Sequence, residues 1–156
     1  MNFSDMRSTA LTVFVILVSI LTSSCSVCDT DKLRDIPIPA AGSSPDRVVR
    51  AYLDALSARD IDTMRAISSA NFFERQAGGP DAAICNLISL EKISIGTPHS
   101  DVYGPGGYRQ VRTVLVSFVM EQHEEVSMEN GWNAWGYILG RNSVHEPWLI
   151  IDAGVG

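Results

Sequence analysis

The cysteines of this chain are the residues whose spacing could most directly do chemistry. Cys25 and Cys28 form a C-x-x-C pair, a spacing found in redox dithiols and in halves of zinc sites. A redox pair needs a strand before it and a helix after it, because the helix N-terminus lowers the thiol pKa. Here an apolar run precedes the pair, an irregular stretch follows it, and Cys85 is the only other thiol. We therefore expect no redox function, no metal and no other cofactor.

The segment before Cys25 has the composition of an export signal. Arg7 comes early, residues 10–21 are mostly apolar, and three small residues precede the cysteine. A run of about a dozen apolar residues suits a signal peptide, whereas a bilayer-spanning helix needs roughly 20. The pattern resembles the bacterial lipobox, with Thr22 where a leucine is preferred. This resemblance implies a signal peptide over 1–24, palmitate or a similar lipid on Cys25, and attachment to the extracytoplasmic face of the cell membrane.

Two other interpretations of this segment are open. Residues 8–27 carry no charge, so an uncleaved anchor helix could just span a bilayer, and ordinary secretion is the other alternative. Each of the three exports the domain to a compartment where disulfides persist. We favour a disulfide between Cys28 and Cys85, and the alternative is two unpaired thiols.

Charge and composition restrict the partners and the domain count. The chain has 156 residues and a net charge of −6. An acidic chain without a basic cluster repels polyphosphate, so we expect no nucleic-acid partner. Residues 25–43 mix charges, prolines and small residues without periodicity and are predicted to be a flexible tether. Residues 44–156 have room for one domain.

The order of the predicted elements indicates the fold class. Ser44, Pro45 and Asp46 are typical of a helix start, and an apolar stripe at helical spacing follows. Asp60 is placed to cap a second helix, and a third short helix is predicted from Pro80. Strands are then predicted over 90–95, 108–120, 135–140 and 148–151. Helices followed by antiparallel strands predict an α+β fold, with the N-terminal helices packed on one face of a curved antiparallel sheet.

Two stretches resemble a known family. The stretch PDRVVRAYLDALSARDIDTMRAI is similar to the opening of the nuclear transport factor 2-like superfamily. That superfamily includes SnoaL-like cyclases, ketosteroid isomerases and many actinobacterial lipoproteins. The stretches WGYILGR and PWLIIDAGVG resemble its last two strands. The resemblance covers 44–156 and implies a cone, as in cystatin-like sheets, in which a bent sheet wraps the helices and leaves a pocket at its open end.

Tyr52 and His123 are the candidates for catalysis. Ketosteroid isomerases use a phenol on the first helix as an oxyanion donor, and Tyr52 has that place in the resemblance. It also lies in the apolar stripe, however, so a core position with a satisfied hydroxyl is the favoured expectation. On a strand, His123 would share a face with Glu121 and Glu125, which permits general-base chemistry. The run EQHEE ends a strand, where solvated charge is the usual outcome.

Trp135 and Tyr137 are the candidates for lining a pocket. At strand spacing they share a face, so they either line a cavity or fill the cone. The favoured function is a lipid-anchored module that binds a small apolar ligand or an envelope protein without chemistry. The first alternative is an isomerase or cyclase that uses Tyr52 and His123. The second is a structural envelope protein, which predicts a filled interior.

Overall fold

The chain folds as four helices packed against an open antiparallel sheet of five strands within the part that the structure describes. This computed structural model describes residues 30–75, 79–100 and 107–154. The predicted signal peptide, Cys25 and Cys28 lie outside the described residues. The elements are α1 (Pro45–Ala58), α2 (Ile61–Ala66), α3 (Ala70–Glu74), α4 (Pro80–Asn86), β1 (Leu87–Ile95), β2 (His99–Ser100), β3 (Gln110–Gln122), β4 (Gly131–Arg141) and β5 (Leu149–Gly154). The predicted α+β class is confirmed.

Helix α1 follows from its sequence signals. Pro45 occupies the first turn, where its missing N–H costs nothing, and Asp46 opposes the helix dipole. Ser44 is the N-cap residue, although its hydroxyl makes no capping hydrogen bond. The predicted stripe faces the core, with Tyr52 3% exposed. The helix ends at Arg59, which has the left-handed backbone conformation common after helices.

The shorter helices connect α1 to the far edge of the sheet. Asp60 caps α2 as predicted, since its carboxylate accepts a hydrogen bond from the Thr63 backbone N–H. Helix α3, which the sequence did not predict, is capped by the Ser69 side chain. The turn between α2 and α3 is bonded to β5, because Ile150 donates to the Ile67 carbonyl at 2.9 Å and accepts from Ser69 at 2.8 Å. This connection fixes the turn between α2 and α3 at the β5 edge of the sheet.

The sheet has the order β1-β3-β4-β5, and β2 also pairs with β3. Strands β3 and β4 pair along almost their whole length, from Gln110 opposite Arg141 to Met120 opposite Gly131. The period-two pattern of β3 buries Val114, Val116, Phe118 and Met120, as predicted. Strand β1 has two register shifts against β3, and Lys92 within it has a φ of 51°. Such bulges bend a strand and increase its twist.

Contacts of the folded part reach back into the segment predicted as a tether. Leu33 donates its backbone N–H to the Ala58 carbonyl at 2.9 Å, and Ile36 donates to the Asp60 carboxylate at 2.8 Å. The Thr63 hydroxyl donates to the Ile36 carbonyl at 2.9 Å. A buried carboxylate needs hydrogen-bond donors. Asp60 is 2% exposed, and the segment that contains Ile36 supplies one of the donors it needs.

The predicted disulfide and the predicted membrane anchor both involve residues outside the described ranges. Cys85 lies in α4 and is disulfide-bonded. Its predicted pairing with Cys28 stays a prediction, because Cys25 and Cys28 lie outside the described residues. Among the described helices, each is too short or too polar to cross a lipid bilayer.

Candidate functional site

A cavity of about 1160 Å³ lies between the helices and the inner face of the sheet. Helices α1, α3 and α4 contribute to its wall, as do strands β3, β4 and β5 and the segment after β3. Much of the wall is apolar and aromatic, and includes Leu56, Phe72, Ile84, Leu87, Met120 and Trp135.

Three aromatic rings form a cluster in this wall. The ring centre of Tyr52 lies 6.0 Å from that of Phe72 and 5.6 Å from that of Tyr137, each pair tilted by 58°. These separations are in the favourable range for tilted aromatic pairs. Trp135 lies two residues before Tyr137 on β4 and also lines the cavity. The structure thus places both predicted pocket residues, Trp135 and Tyr137, beside the catalytic candidate Tyr52.

The hydroxyls of Tyr52 and Tyr137 have no hydrogen-bond partner among the described residues. The residues are only 3% and 5% exposed. Both nevertheless line the cavity, whereas the Ser68 hydroxyl is fully enclosed and has no hydrogen-bond partner within the described chain. Burial raises the pKa of both phenols, and the neighbouring Tyr52 raises that of Tyr137 further. Both are therefore neutral hydrogen-bond donors at physiological pH, and the satisfied hydroxyl expected for Tyr52 is not found.

A polar group that sequence reasoning missed borders the cavity beside β5. Arg75 and Asp152 both line it, with the Arg75 Nη2 atom 3.8 Å from the Asp152 Oδ1 atom. The Arg75 Nε–H donates to the Asn71 carbonyl at 3.1 Å, and its Nη2 donates to the Ile151 carbonyl at 3.4 Å. No motif links residues so far apart in the chain. The signal available was an aspartate inside an otherwise apolar last strand.

His123 lies at the rim of the cavity rather than on a strand. Strand β3 ends at Gln122, and His123 follows it as an exposed residue whose backbone N–H donates to the Asn86 carbonyl at 2.9 Å. The expected strand face of Glu121, His123 and Glu125 is therefore not formed. The Glu125 carboxylate instead accepts the Asn130 backbone N–H at 2.7 Å.

Asn86 closes this end of the cavity. Its side-chain amide donates to the Gln122 side chain at 3.1 Å and to the Glu124 carbonyl at 2.7 Å. Its side-chain oxygen accepts from the Glu124 backbone at 2.8 Å. These bonds fasten the end of α4 to the segment after β3. The rim beside His123 is thus held by hydrogen bonds of the Asn86 side chain.

The arrangement can bind a small molecule through apolar contacts and a few hydrogen bonds. The described ranges contain no group of three or more His, Cys, Asp or Glu side chains that could hold a metal ion. Apolar walls with a few oriented donors are typical of small-molecule sites. No protein-family model, curated protein or solved structure matches the chain, so a functional proposal rests on the residues themselves.

Proposed function

We propose that this protein is a non-catalytic binding module that holds a small, mostly apolar molecule in the cavity between its helices and its sheet. The observation that carries the proposal is the pair of buried tyrosines, Tyr52 and Tyr137, in an aromatic cavity wall, whose hydroxyls have no hydrogen-bond partner among the described residues. A cavity of about 1160 Å³ has room for a molecule of drug size, since such sites occupy roughly 300–1,000 Å³.

The residues of the wall define the chemistry of the ligand. Leu56, Phe72 and Trp135 would contact an apolar body. Tyr52 and Tyr137 would donate hydrogen bonds to an acceptor oxygen, such as that of a ketone or an ester. A buried hydroxyl left without a partner costs about 1–3 kcal/mol, so a ligand with this oxygen should bind roughly ten- to a hundredfold more tightly than its hydrocarbon analogue.

The test is a displacement assay with the neutral fluorophore N-phenyl-1-naphthylamine. We expect saturable binding of the fluorophore, and tighter competition by an undecanone than by an undecene. The double variant Tyr52→Phe, Tyr137→Phe should lose that preference while still binding the fluorophore. Tyr108→Phe, a tyrosine outside the cavity wall, is the matched control. Absence of saturable binding, or equal affinity for the two competitors, would overturn the proposal.

A pocket enzyme of the isomerase or cyclase type is the second candidate, favoured by the presence of both Tyr52 and His123 in the wall of one cavity. Against it, His123 is exposed beyond the end of β3, and within the described ranges neither side chain has a hydrogen-bond partner that would orient it for proton transfer. Incubation with a β,γ-unsaturated ketone, followed by ultraviolet absorbance of the conjugated product, distinguishes the two. Turnover that Tyr52→Phe and His123→Gln both abolish would replace the binding proposal.

We also infer that the fold is the cone of the nuclear transport factor 2-like family. Its support is the family-like first helix, the bulged β1 and the cavity between the helices and the sheet. A purely structural envelope protein predicts a filled interior, which a cavity of this volume disfavours. The cavity therefore also weighs for the binding of a ligand over a structural role.

For the location, we propose a lipid anchor on Cys25 at the extracytoplasmic face of the cell membrane. The support is the apolar segment over 10–21 and the small residues before the cysteine. Cells that express the protein should incorporate a palmitate analogue into it. Cys25→Ala should abolish the labelling, and the control Cys28→Ala should keep it. Labelling and membrane retention that persist in Cys25→Ala would exclude the anchor.

A further inference from the structure

Two arginines lie over one buried tryptophan, outside the cavity wall. The Cζ atom of Arg141 is 4.2 Å from the ring centre of Trp148, and that of Arg112 is 6.0 Å from it. Trp148 is 4% exposed, and both arginines are half-buried. Arg112 is paired with the buried Leu139 across β3 and β4. Both guanidinium groups thus lie within reach of the same aromatic ring.

This cluster is separate from the proposed ligand cavity. None of Arg112, Arg141 and Trp148 lines that cavity. Tyr137, which does, is opposite Val114, two residues along β3 from Arg112, a step of roughly 7 Å in an extended chain. The arginine cluster thus adjoins the cavity, and a ligand at the arginines would contact residues other than those of the cavity wall.

The two positive charges have no ion-pair partner among the described residues, in a chain whose net charge is −6. The Arg141 Nε–H donates to the Gln110 side-chain oxygen at 2.7 Å. The Arg112 Nη1 donates to the Val111 carbonyl at 2.8 Å. A guanidinium has five N–H donors, so most donors of both groups have no acceptor from the described chain. Within the described ranges, hydrogen bonds position the pair and no carboxylate neutralises it.

We propose that Arg112 and Arg141 form a binding site for a phosphate group, either as a free phosphate or in a lipid headgroup. Two guanidiniums near one ring repel each other, and an anion bound between them removes that cost. Each fork can bind two oxygens of one ligand. A tetrahedral oxyanion offers oxygens to both forks, whereas a carboxylate is already satisfied by one. Gln110 limits the rotation of Arg141, which favours a defined geometry.

The first experiment is a titration of the full folded domain with inorganic phosphate at constant ionic strength, with chloride as the balancing anion. Nuclear magnetic resonance of the Trp148 indole N–H and of the arginine Nε–H groups reports the site directly. We expect saturable shifts of these signals. Arg112→Gln and Arg141→Gln should each weaken the affinity at least tenfold. Arg47→Gln, an exposed arginine on α1, should leave it unchanged.

A further variant distinguishes the contribution of the positive charge of Arg141 from that of its planar guanidinium group. A spectroscopic measurement tests each variant for misfolding. Arg141→Lys keeps the positive charge and loses the planar fork, so it should weaken phosphate binding nearly as much as Arg141→Gln. Near-ultraviolet circular dichroism checks that each variant retains its tryptophan packing. The proposal is overturned if the wild-type protein shows no saturable shift, or if Arg47→Gln weakens binding as much as the two site variants do.

Vesicles distinguish the two sources of phosphate. Vesicles of phosphatidylcholine with added phosphatidic acid are compared with vesicles of phosphatidylcholine alone. Retention by the first set that is lost in Arg112→Gln assigns the site to a headgroup. Competition by inorganic phosphate without vesicle retention assigns it to free phosphate. The proposed site is refuted if neither the vesicles with phosphatidic acid nor inorganic phosphate binds.

Discussion

Replacing Asp60 by Asn tests how the segment before α1 is attached to the domain. The Asp60 carboxylate accepts the Ile36 backbone N–H at 2.8 Å, the Thr63 hydroxyl at 2.9 Å and the Thr63 backbone N–H at 3.3 Å. The Lys32 ammonium lies 3.7 Å from its Oδ1 atom. An asparagine keeps one acceptor oxygen but turns an amide donor toward the remaining donors. The substitution thus removes charge at constant shape.

The magnitude follows from these bonds. A hydrogen bond to a charged acceptor contributes about 1.5–3 kcal/mol, and a buried donor left unpaired costs about 1–3 kcal/mol. An asparagine can still satisfy Ile36 and the Thr63 hydroxyl, so the loss is mainly the bond at the helix cap and the attraction of Lys32. We expect Asp60→Asn to lower the free energy of unfolding by about 2 kcal/mol, and Asp60→Ala, which leaves all donors unpaired, by about 3–4 kcal/mol.

The pH dependence provides an independent check. Burial acts to raise the pKa of Asp60, but the hydrogen bonds from Ile36 and Thr63 and the charge of Lys32 outweigh it, so the pKa is lower than the ordinary value of 3.8. A carboxylate with a lowered pKa stabilises the fold above its unfolded pKa, and this contribution disappears as the pH falls through the folded value. The difference between wild type and Asp60→Asn should be constant from pH 5 to 8 and narrow below about pH 4.

Urea unfolding followed by tryptophan fluorescence measures the difference. Asp62→Asn is the matched control, because Asp62 lies in the helix that Asp60 caps, with its side chain 81% exposed and paired with Arg65. The control should change the free energy of unfolding by less than about 0.5 kcal/mol. A value for Asp60→Asn as small as that of the control, or a difference that persists unchanged at pH 3, would refute the reasoning.

Three further predictions concern packing and cross-linking. Gly140→Ala should destabilise the fold by about 1–3 kcal/mol in thermal unfolding, because the new Cβ would lie 2.5 Å from the Tyr108 ring. Tyr52→Phe should leave the free energy of unfolding unchanged or raise it, by at most about 1–3 kcal/mol, since its hydroxyl has no bond to lose in the described chain. Cys28→Ser should free the Cys85 thiol, detectable by mass spectrometry after alkylation, and lower stability by about 4 kcal/mol in the chain-entropy model.

Each of these predictions has a direct control and a contrary outcome. Gly136→Ala, in the same strand, introduces a Cβ with only ordinary contacts, the nearest at 3.5 Å, and an equal loss in both variants would reject the clash. A loss above 1 kcal/mol in Tyr52→Phe would show that the hydroxyl is bonded. Free Cys85 thiol in Cys25→Ser instead of Cys28→Ser would assign the disulfide to the other cysteine.

The sequence predicts the fold well where periodicity and capping act locally. The apolar stripe containing Tyr52, the cap at Asp60 and the alternation in β3 all appear as predicted. Strand β4 is longer than predicted, extending over Gly131–Arg141, because pairing with β3 orders residues whose own pattern is weak. Helix α3 was missed because five residues are too few to show a helical period.

The candidate site was only partly predictable. The shared face of Trp135 and Tyr137 follows from strand spacing, and both line the cavity. The pairing of Arg75 with Asp152 requires α3 to pack near β5, and no local sequence pattern predicts that long-range contact. The run EQHEE was expected to end a strand with solvated charge, and β3 does end at Gln122, before the exposed His123. The position of His123 depends on hydrogen bonds to Asn86, which lies in α4, a helix far from His123 in the sequence.

Leu33 and Ile36 are hydrogen-bonded to the helical part of the domain. These bonds shorten the length of chain that could separate the domain from a membrane attachment point. With Cys25 as the proposed point of attachment, the chain from there to Leu33 reaches at most about 28 Å when fully extended. A tether free up to residue 43 would reach about 60 Å. The end of the domain that contains Ala58 and Asp60 would therefore stay close to the bilayer, and the domain would present a restricted set of orientations to molecules approaching from the membrane.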